Sequence, residues 1–286
     1  MIARINLQTR SAHTEDKQRL ANLIHFESLV HRHLDWRSPL DWIGHSPYLV
    51  AEQGRKLVAA LACPPDPASV AWIRLFAAAS EVSAKEAWWS LWPLARDQLS
   101  DQEDIHIAAI PLQAWFTRLL EASDFVNINQ VVMLLWEKGD MPTEPKTQQA
   151  NLRPMNLDDL SEVEKLDNTA FGTIWQNSKE SLVLAYKQAA ITTVAEKDGK
   201  IVGYQISTAN QLGGHLARLA VDPEYQGLGI GYLILHDLLI QFERRGAQRV
   251  TVNTQQDNQV SISLYEKAHF IRTRESYPVY QYEPER

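Results

Sequence analysis

Three glycines stand close together in the segment AVDPEYQGLGIGYLIL: Gly227, Gly229 and Gly231. They follow an apolar run that breaks at an Asp-Pro pair, and they precede an aliphatic stretch typical of a buried helix. A glycine-rich loop that opens a helix directs several free backbone N–H groups toward one point, and the helix dipole adds partial positive charge there. This combination is suited to binding a pyrophosphate.

The strand before the glycines adds a second feature. If this strand separates from its neighbour at the Asp-Pro break, its unpaired backbone groups can pair with an amide-bearing ligand. Coenzyme A carries both a pyrophosphate and an arm with two amides. A nicotinamide dinucleotide is the alternative, but its fingerprint places G-x-G-x-x-G directly after a strand. Here DPEYQ intervenes and the third glycine comes too early, so the sequence favours coenzyme A.

The chain of 286 residues divides at the linker GDMPTEPKTQQA, which predicts domains 1–140 and 150–286. The same order of helices and strands occurs on both sides of the linker. IRLFA aligns with ARLAV, which places Arg74 opposite Arg218, and LLEASDF aligns with LYEKAHF. The pattern predicts a tandem repeat of one α+β domain.

Several elements follow from periodicity and turn signals. In the second half a long helix is predicted from Leu228 to Arg245, ended by Gly246. In the first half the patterns predict one helix over residues 14–30, one continuous strand over 69–78 and a second helix, SAKEAWWSLWPLARDQL. All tryptophans except Trp175 precede the linker, and most have core spacing. Three of them are so close on one helix that they cannot all face one core: Trp88, Trp89 and Trp92.

Two motifs together resemble the GNAT superfamily of acyl-CoA-dependent N-acyltransferases. The first is Q-x-x-G-x-G after an Asp-Pro strand end, formed by Gln226, Gly229 and Gly231; the second is N-x-x-S-x-x-L-Y-E-K-x-x-F, from Asn258 to Phe270. The resemblance covers the whole second half in element order. It implies two tandem GNAT-like domains of the α+β class, each with a mixed, mostly antiparallel central sheet flanked by helices. The N-terminal domain would be degenerate.

The resemblance also implies roles for individual residues, with acetyl-CoA as co-substrate and no metal. Backbone N–H groups of seven consecutive residues would hold the pyrophosphate: Gln226, Gly227, Leu228, Gly229, Ile230, Gly231 and Tyr232. The backbone of the strand end would pair with the pantetheine arm and polarise the thioester carbonyl: Leu219, Ala220 and Val221. Asn258 would hydrogen-bond this arm, unless it is only a helix N-cap. Tyr265 would protonate the departing thiolate, unless it is only a core tyrosine.

No general base is evident. Some peptide N-terminal acetyltransferases of this superfamily carry a glutamate five residues before the motif asparagine, and this position is Asn253 here. His215, Glu196 or a water held by the backbone remain as candidates. His269 replaces the glycine that usually precedes the motif phenylalanine; we expect a surface substitution that keeps a negative φ.

The first half lacks the residues of the second half's motifs. Opposite the glycine loop lies ASEVSAKEAWW, which contains no glycine and adds Glu81 and Glu86, and Leu120 stands opposite Tyr265. A pyrophosphate would meet side chains and like charge at this place. We therefore predict that the first domain keeps the fold and does not bind coenzyme A.

The sequence thus predicts an N-acetyltransferase that transfers an acetyl (acyl) group from acetyl-CoA to a primary amine of a small molecule or peptide by direct attack. A non-catalytic acyl-CoA-binding sensor is the alternative. The net charge of −7, without blocks of one sign, argues against nucleic acid and membrane partners. The lone Cys63 and the absence of an apolar leader favour the cytoplasm. A monomer and a homodimer are both compatible with the sequence.

Overall fold

The computed structural model describes residues 7–100, 104–146, 150–211 and 213–284. Two compact units are present: Met1–Ile128 together with Pro278–Arg286, and Asn129–Tyr277. The chain therefore passes between the units within two of its strands. These units are divided at other residues than the predicted domains 1–140 and 150–286. The boundaries of the sequence domains stay a prediction.

In its described residues the first unit contains three α-helices and seven complete strands, and it shares two long strands with the second unit. The helices are α1 (Lys17–Phe26), α2 (Ala84–Leu99) and α3 (Ala114–Glu121). The strands are β1 (Gln8–Ser11), β2 (Leu29–Arg32), β3 (Tyr48–Gln53), β4 (Lys56–Ala62), β5 (Val70–Trp72), β6 (Leu75–Ala78), β7 (His106–Ala109) and the start of β8 (Phe125–Glu137). Five strands form an antiparallel sheet in the order β1-β3-β4-β6-β2, and β5 pairs with β7 in parallel.

Two elements of the first unit differ from the prediction. Helix α1 ends at Phe26, and Leu29–Arg32 pairs with β6 as a strand. The predicted strand over 69–78 is divided, because β5 pairs with β7 while β6 pairs with β2 and β4. Arg74 lies at this division, and its buried guanidinium binds the Asp35 carboxylate at 2.8 Å.

The described part of the second unit contains four α-helices: α4 (Leu160–Ala170), α5 (Lys179–Gln188), α6 (Ile230–Arg244) and α7 (Gln259–Lys267). Its further strands are β9 (Asn151–Pro154), β10 (Ile191–Lys197), β11 (Lys200–Asn210), β12 (Gly213–Val221), β13 (Arg249–Gln255) and the first part of β14 (Ile271–Tyr282). The order β8-β13-β12-β11-β10-β9 defines the sheet, in which only the β12–β13 pair is parallel. The sheet of the second unit is thus mixed, whereas the five-stranded sheet of the first unit is wholly antiparallel. These sheets and their flanking helices confirm the predicted α+β fold class.

Strands β12 and β13 separate part-way along their length. Within the described residues they pair only where Gly214–Leu216 faces Val250–Val252. Beyond this point residues 218–221 remain paired with β11, and Asn253–Gln255 remain paired with β8. A gap therefore opens between the two strands, and the backbone edge of β12 from residue 217 onward lacks a strand partner on this side.

A repeated ionic triad confirms the internal duplication. In the first unit Arg10 binds Asp16 at 2.6 Å and Glu52 at 2.8 Å. In the second unit Arg153 binds Asp159 at 2.7 Å and Glu196 at 2.6 Å. Arg10 lies on β1 and Arg153 lies on β9, and each arginine links its strand to the start of the following helix and to the paired strand. The same long-range connection thus occurs at corresponding places in both halves.

The tryptophans of α2 behave as their spacing predicts. Trp88 and Trp92 are buried in the core of the first unit, whereas Trp89 is 42% exposed. The Trp88 indole N–H donates to Ser123 Oγ at 2.8 Å, which satisfies its one buried donor. Among the described helices none combines the length and the apolar character that crossing a bilayer requires.

Candidate functional site

The glycine loop joins the end of β12 to the start of α6. After the short 3-10 turn Pro223–Tyr225, the chain turns through Gly227 with φ +76° and Gly229 with φ +83°, and α6 begins at the next residue. These two positions need glycine because L side chains rarely adopt a left-handed backbone. A Cβ at either glycine would meet no atom within 4 Å. The space above the loop is therefore open.

Backbone N–H groups of this loop are available for a ligand. The Gln226 N–H donates to the Pro223 carbonyl at 3.4 Å, and the next N–H with an acceptor is that of Leu233, which donates to the Gly229 carbonyl at 3.0 Å. Between them, within the described residues, no acceptor faces the N–H groups of residues 227–232. The first turn of a helix has no intrahelical acceptors for its N–H groups, and they carry the positive end of the helix dipole. An anion can bind here without any basic side chain.

The third glycine has a different role. Gly231 lies within the first turn of α6, where a Cβ would stand 3.3 Å from Leu264 Cδ2 and 3.6 Å from Val221 Cγ2. Its small size lets α6 approach α7 and the end of β12. Gly231 thus positions the helix, whereas Gly227 and Gly229 give the loop its turns.

The end of β12 points its side chains into the core and its backbone edge toward the gap. Val221 and the half-buried Leu219 pack against α6, while Ala220 is buried on the opposite face of the strand. The Gln226 side chain folds back and donates from Nε2 to the Val221 carbonyl at 3.1 Å. This hydrogen bond fixes the loop relative to the strand end.

Asn258 is the N-cap of α7. Its Oδ1 accepts from the Ser261 N–H at 3.1 Å, and its Nδ2 lies 3.5 Å from Gln255 Oε1. The capping role considered from the sequence is therefore present. The long contact to Gln255 leaves the amide group able to donate to a ligand.

Tyr265 lies on α7 and is 4% exposed. Its ring packs against Phe270 with 5.8 Å between the centroids. Burial raises the pKa of Tyr265 well above its ordinary range, so the hydroxyl stays protonated at neutral pH. Its hydroxyl makes no hydrogen bond within the part of the chain that the structure describes. A buried phenol with a free hydroxyl can donate a proton to a group that enters the site.

The candidate bases differ in their surroundings. Glu196 is held by Arg153 through two hydrogen bonds of 2.6 and 2.9 Å, so its carboxylate is committed to the ionic triad. His215 places Nδ1 2.9 Å from Thr251 Oγ1, next to the point where β12 and β13 separate. Burial lowers the pKa of His215, which keeps the imidazole neutral at pH 7. Asn253 is exposed on β13.

His269 adopts a positive φ of +65°, contrary to the expected negative value. The reason is the end of α7, where the Phe270 N–H donates to the Tyr265 carbonyl and the His269 N–H to the Glu266 carbonyl. This pair of bonds places a left-handed residue after the helix. The His269 ring is exposed and pairs with Asp140 Oδ1 at 2.8 Å, as a surface residue would.

A buried polar cluster lies on the other face of β12 and was not predicted from the sequence. Asp167, at the end of α4, is fully buried and binds Arg218 through Nε at 2.8 Å and Nη2 at 2.9 Å. The Tyr204 hydroxyl donates to the same carboxylate, and burial raises its pKa so that it stays a donor. The alignment of Arg218 with Arg74 was the only sequence signal for this cluster.

The corresponding loop of the first unit has a closed helix start. The Ser83 hydroxyl caps α2 by accepting from the Glu86 N–H at 3.1 Å, and it donates to Glu86 Oε2 at 2.8 Å. The Ser80 N–H donates to Glu27 Oε2 at 2.9 Å. A side-chain oxygen thus occupies one N–H group in the first turn of α2, and the Glu86 carboxylate adds negative charge there.

Comparison with known proteins finds one family model that matches part of the chain. Residues 160–270 match the model of the Acetyltransferase (GNAT) family, and this stretch contains the glycine loop, Asn258 and Tyr265. Residues 160–270 therefore form a GNAT domain. Acyl transfer is the general chemistry of this family, and the match lies in the second half of the chain.

Relatives and solved structures agree with the GNAT assignment. Over 69 residues the chain is 36% identical to N-alpha-acetyltransferase 30 of Schizosaccharomyces pombe. The aligned stretch covers 24% of this chain and 46%, about half, of the length of that relative. A tandem GNAT protein from the clavulanic acid biosynthesis pathway has a TM-score of 0.63 at 15% identity, covering 98% of this chain and 100% of that chain. A GCN5-related N-acetyltransferase from Sphaerobacter thermophilus has a TM-score of 0.62 at 14% identity, covering 96% and 95%. The tandem fold therefore extends over the whole chain.

Proposed function

We propose that this GNAT protein transfers an acetyl group from acetyl-CoA to a primary amine of a small molecule or peptide by direct attack of the amine. The observation that carries the proposal is the group of free N–H donors at the start of α6, next to the gap between β12 and β13. An anion site and an unpaired strand edge occur together there. This pair of features fits a pyrophosphate joined to an amide-bearing arm.

The binding roles follow from the position of each group. The N–H groups of residues 227–232 would hold the pyrophosphate, with Gln226 fixing the loop through Val221. The free backbone edge at Leu219–Val221 would pair with the pantetheine amides and donate to the thioester oxygen, where negative charge develops. Asn258 would hydrogen-bond the same arm with its amide nitrogen while its oxygen caps α7.

The chemical roles concern two proton transfers. Acetyl-CoA supplies an acyl group activated as a thioester. Tyr265 would donate its hydroxyl proton to the departing thiolate, since burial keeps this phenol protonated. His215 is the candidate acceptor for the amine proton because it is neutral and lies where the two strands separate. Glu196 is a weaker candidate, since Arg153 already binds its carboxylate.

The peptide class of acceptor draws support from one named relative. N-alpha-acetyltransferase 30 of Schizosaccharomyces pombe shares 36% identity over 69 residues with this chain. Asn253 stands where some peptide acetyltransferases of the superfamily carry a glutamate, which argues for a different base. Small-molecule and peptide amines therefore both belong in the acceptor screen.

A non-catalytic acyl-CoA sensor is the second candidate, favoured by the absence of a free carboxylate at Asn253. We further propose that the first unit does not bind coenzyme A, because Ser83 occupies an N–H group in the first turn of α2 and Glu86 adds negative charge there. The expected lack of nucleic acid and membrane partners, the cytoplasmic location and the choice between monomer and homodimer stay predictions.

Calorimetric titration of acetyl-CoA into the full-length chain tests the proposal. Gly229→Glu should abolish binding, since it places a carboxylate where the pyrophosphate would lie. Gly246→Glu is the matched control: Gly246 also has φ +83°, stands at the other end of α6 and has open space around a Cβ. Binding of one ligand per chain, lost only in Gly229→Glu, is the expected result. Binding that survives Gly229→Glu would overturn the placement of the pyrophosphate at the α6 loop. Two equivalent ligands per chain would overturn the proposal that the first unit does not bind coenzyme A.

A further inference from the structure

The segment 171–177 joins α4 to α5 and is tied to β12 by one guanidinium group. Arg218 Nη2 donates to the Trp175 carbonyl at 2.6 Å, and the guanidinium carbon lies 3.5 Å from the centre of the Phe171 ring. The same guanidinium binds Asp167 through two nitrogens. One planar, forked group therefore holds a carboxylate, a backbone carbonyl and an aromatic face together.

The carboxylate of Asp167 completes this arrangement. It accepts from Arg218, from the Tyr204 hydroxyl and from the Asn177 N–H, the last at 2.9 Å. The segment is thus held at both ends: Phe171 and Trp175 contact the arginine, and Asn177 contacts the aspartate. Asp167 is fully buried, so these bonds form where competition from water is weak.

The segment lies on the face of β12 that points away from α6. Leu219 and Val221 point toward α6, and Leu264 of α7 packs near Gly231 on this same side. Arg218 and Ala220 point the other way, toward α4. An acyl donor held by the α6 loop and the β12 edge leaves this second face for the attacking amine. The segment 171–177 is the part of the chain next to it.

We infer that the Asp167–Arg218 pair is a positioning device that holds segment 171–177 as a wall of the amine-binding site. Arg218 directly precedes Leu219, whose backbone is assigned to the acyl donor, so one residue joins the acceptor wall to the donor strand. This inference rests on the proposed acetyl transfer. Neither residue touches the reacting atoms; both act through the segment.

Arg218→Lys is the main test variant because it keeps the positive charge that buried Asp167 needs. A single ammonium cannot bind both carboxylate oxygens and the Trp175 carbonyl, and it does not lie flat on Phe171. Arg153→Lys is the matched control: it removes the fork of another carboxylate-bound arginine in the same unit, and Arg153 contacts no residue of segment 171–177 in the described structure. The double variant Asp167→Asn with Arg218→Met removes both charges together and leaves none unpaired.

Hydrogen–deuterium exchange on the full-length chain gives a readout that does not depend on activity. Amides of residues 171–177 should exchange about tenfold faster in Arg218→Lys and in the double variant, and at the wild-type rate in Arg153→Lys. The KM for the amine should rise by about tenfold or more, with acetyl-CoA affinity within about threefold of wild type.

The two arms separate the failure of this inference from failure of the proposed function. Unchanged exchange of residues 171–177 in the folded variants overturns the positioning role. Faster exchange with an unchanged KM overturns the wall assignment. If the wild-type chain binds no acetyl-CoA, the proposed acetyl transfer is wrong. The exchange rates of residues 171–177 would still show whether Arg218 holds the segment.

Discussion

Gly231 and Leu264 meet where α6 passes α7, and a Cβ on the glycine would stand 3.3 Å from Leu264 Cδ2. We expect Gly231→Val to lower the free energy of unfolding by about 1–3 kcal/mol, because the added methyl groups overpack this contact. Urea unfolding measures the change. Gly172→Val is the control, since Gly172 has φ −63° and no atom within 4 Å of a Cβ. Equal effects of the two substitutions would show that the contact does not limit residue size.

Tyr265→Phe separates an enzyme from a sensor. The variant keeps the ring packed against Phe270 and removes only the hydroxyl proton. For a general acid, kcat should fall by about 10² to 10⁴ while the dissociation constant of acetyl-CoA stays within about threefold. Steady-state kinetics and calorimetry measure the two quantities.

The control for this substitution is Tyr280→Phe. Tyr280 is a buried tyrosine of the first unit, and its hydroxyl donates to Glu121 Oε1 at 2.8 Å. Turnover should be unaffected there. Wild-type kcat in Tyr265→Phe would exclude the tyrosine as the proton donor.

Asn258 combines a capping oxygen with a free amide nitrogen, and two variants separate these functions. Asn258→Ala should cost about 1 kcal/mol of stability through the lost cap of α7. Asn258→Ser restores the cap, because its hydroxyl can accept from the Ser261 N–H, but it lacks the amide. If the amide binds the pantetheine arm, both variants should weaken acetyl-CoA binding by about tenfold, whereas only the alanine lowers the melting temperature. Wild-type affinity in Asn258→Ser would leave the residue with the capping role alone.

Much of the site could be predicted because its signals are local in sequence. Gly227 and Gly229 turn the chain within a few residues of the helix that they begin. The cap at Asn258 and the burial of Tyr265 follow from the spacing of one short helix. Local motifs of this kind specify backbone conformation and helix ends without knowledge of distant contacts.

The contacts that escaped prediction are long-range. Arg218 binds a carboxylate 51 residues earlier in the chain, and Arg153 binds Glu196, 43 residues later. Periodicity shows which face of an element is apolar, but it does not show which charged side chain on another element will meet it. The division of the strand at Arg74 has the same origin, since β5 and β6 follow different partner strands. The expectation of a negative φ at His269 was wrong, because it considered the residue type and not the hydrogen bonds that end α7.

We expect His31 to make the first unit sensitive to acid. It is 3% exposed, its Nε2 lies 3.0 Å from the Ile73 carbonyl, and its ring stacks on Phe116. Burial lowers the pKa of His31 from 6.5 to about 4. The neutral ring is therefore favoured in the folded state. Its contribution to stability is fully present above pH 6.5 and is lost as the pH falls from 6.5 toward 4.

The corresponding loss is on the order of 3 kcal/mol over that pH range, since each pKa unit corresponds to about 1.4 kcal/mol. Urea unfolding at a series of pH values measures it. His31→Gln removes the titrating ring and should flatten this part of the pH dependence, although it lowers stability at pH 7 through lost packing on Phe116. His25→Gln, which changes an exposed histidine of α1, should leave the slope unchanged. An equal slope in wild type and His31→Gln would mean that other groups cause the acid sensitivity.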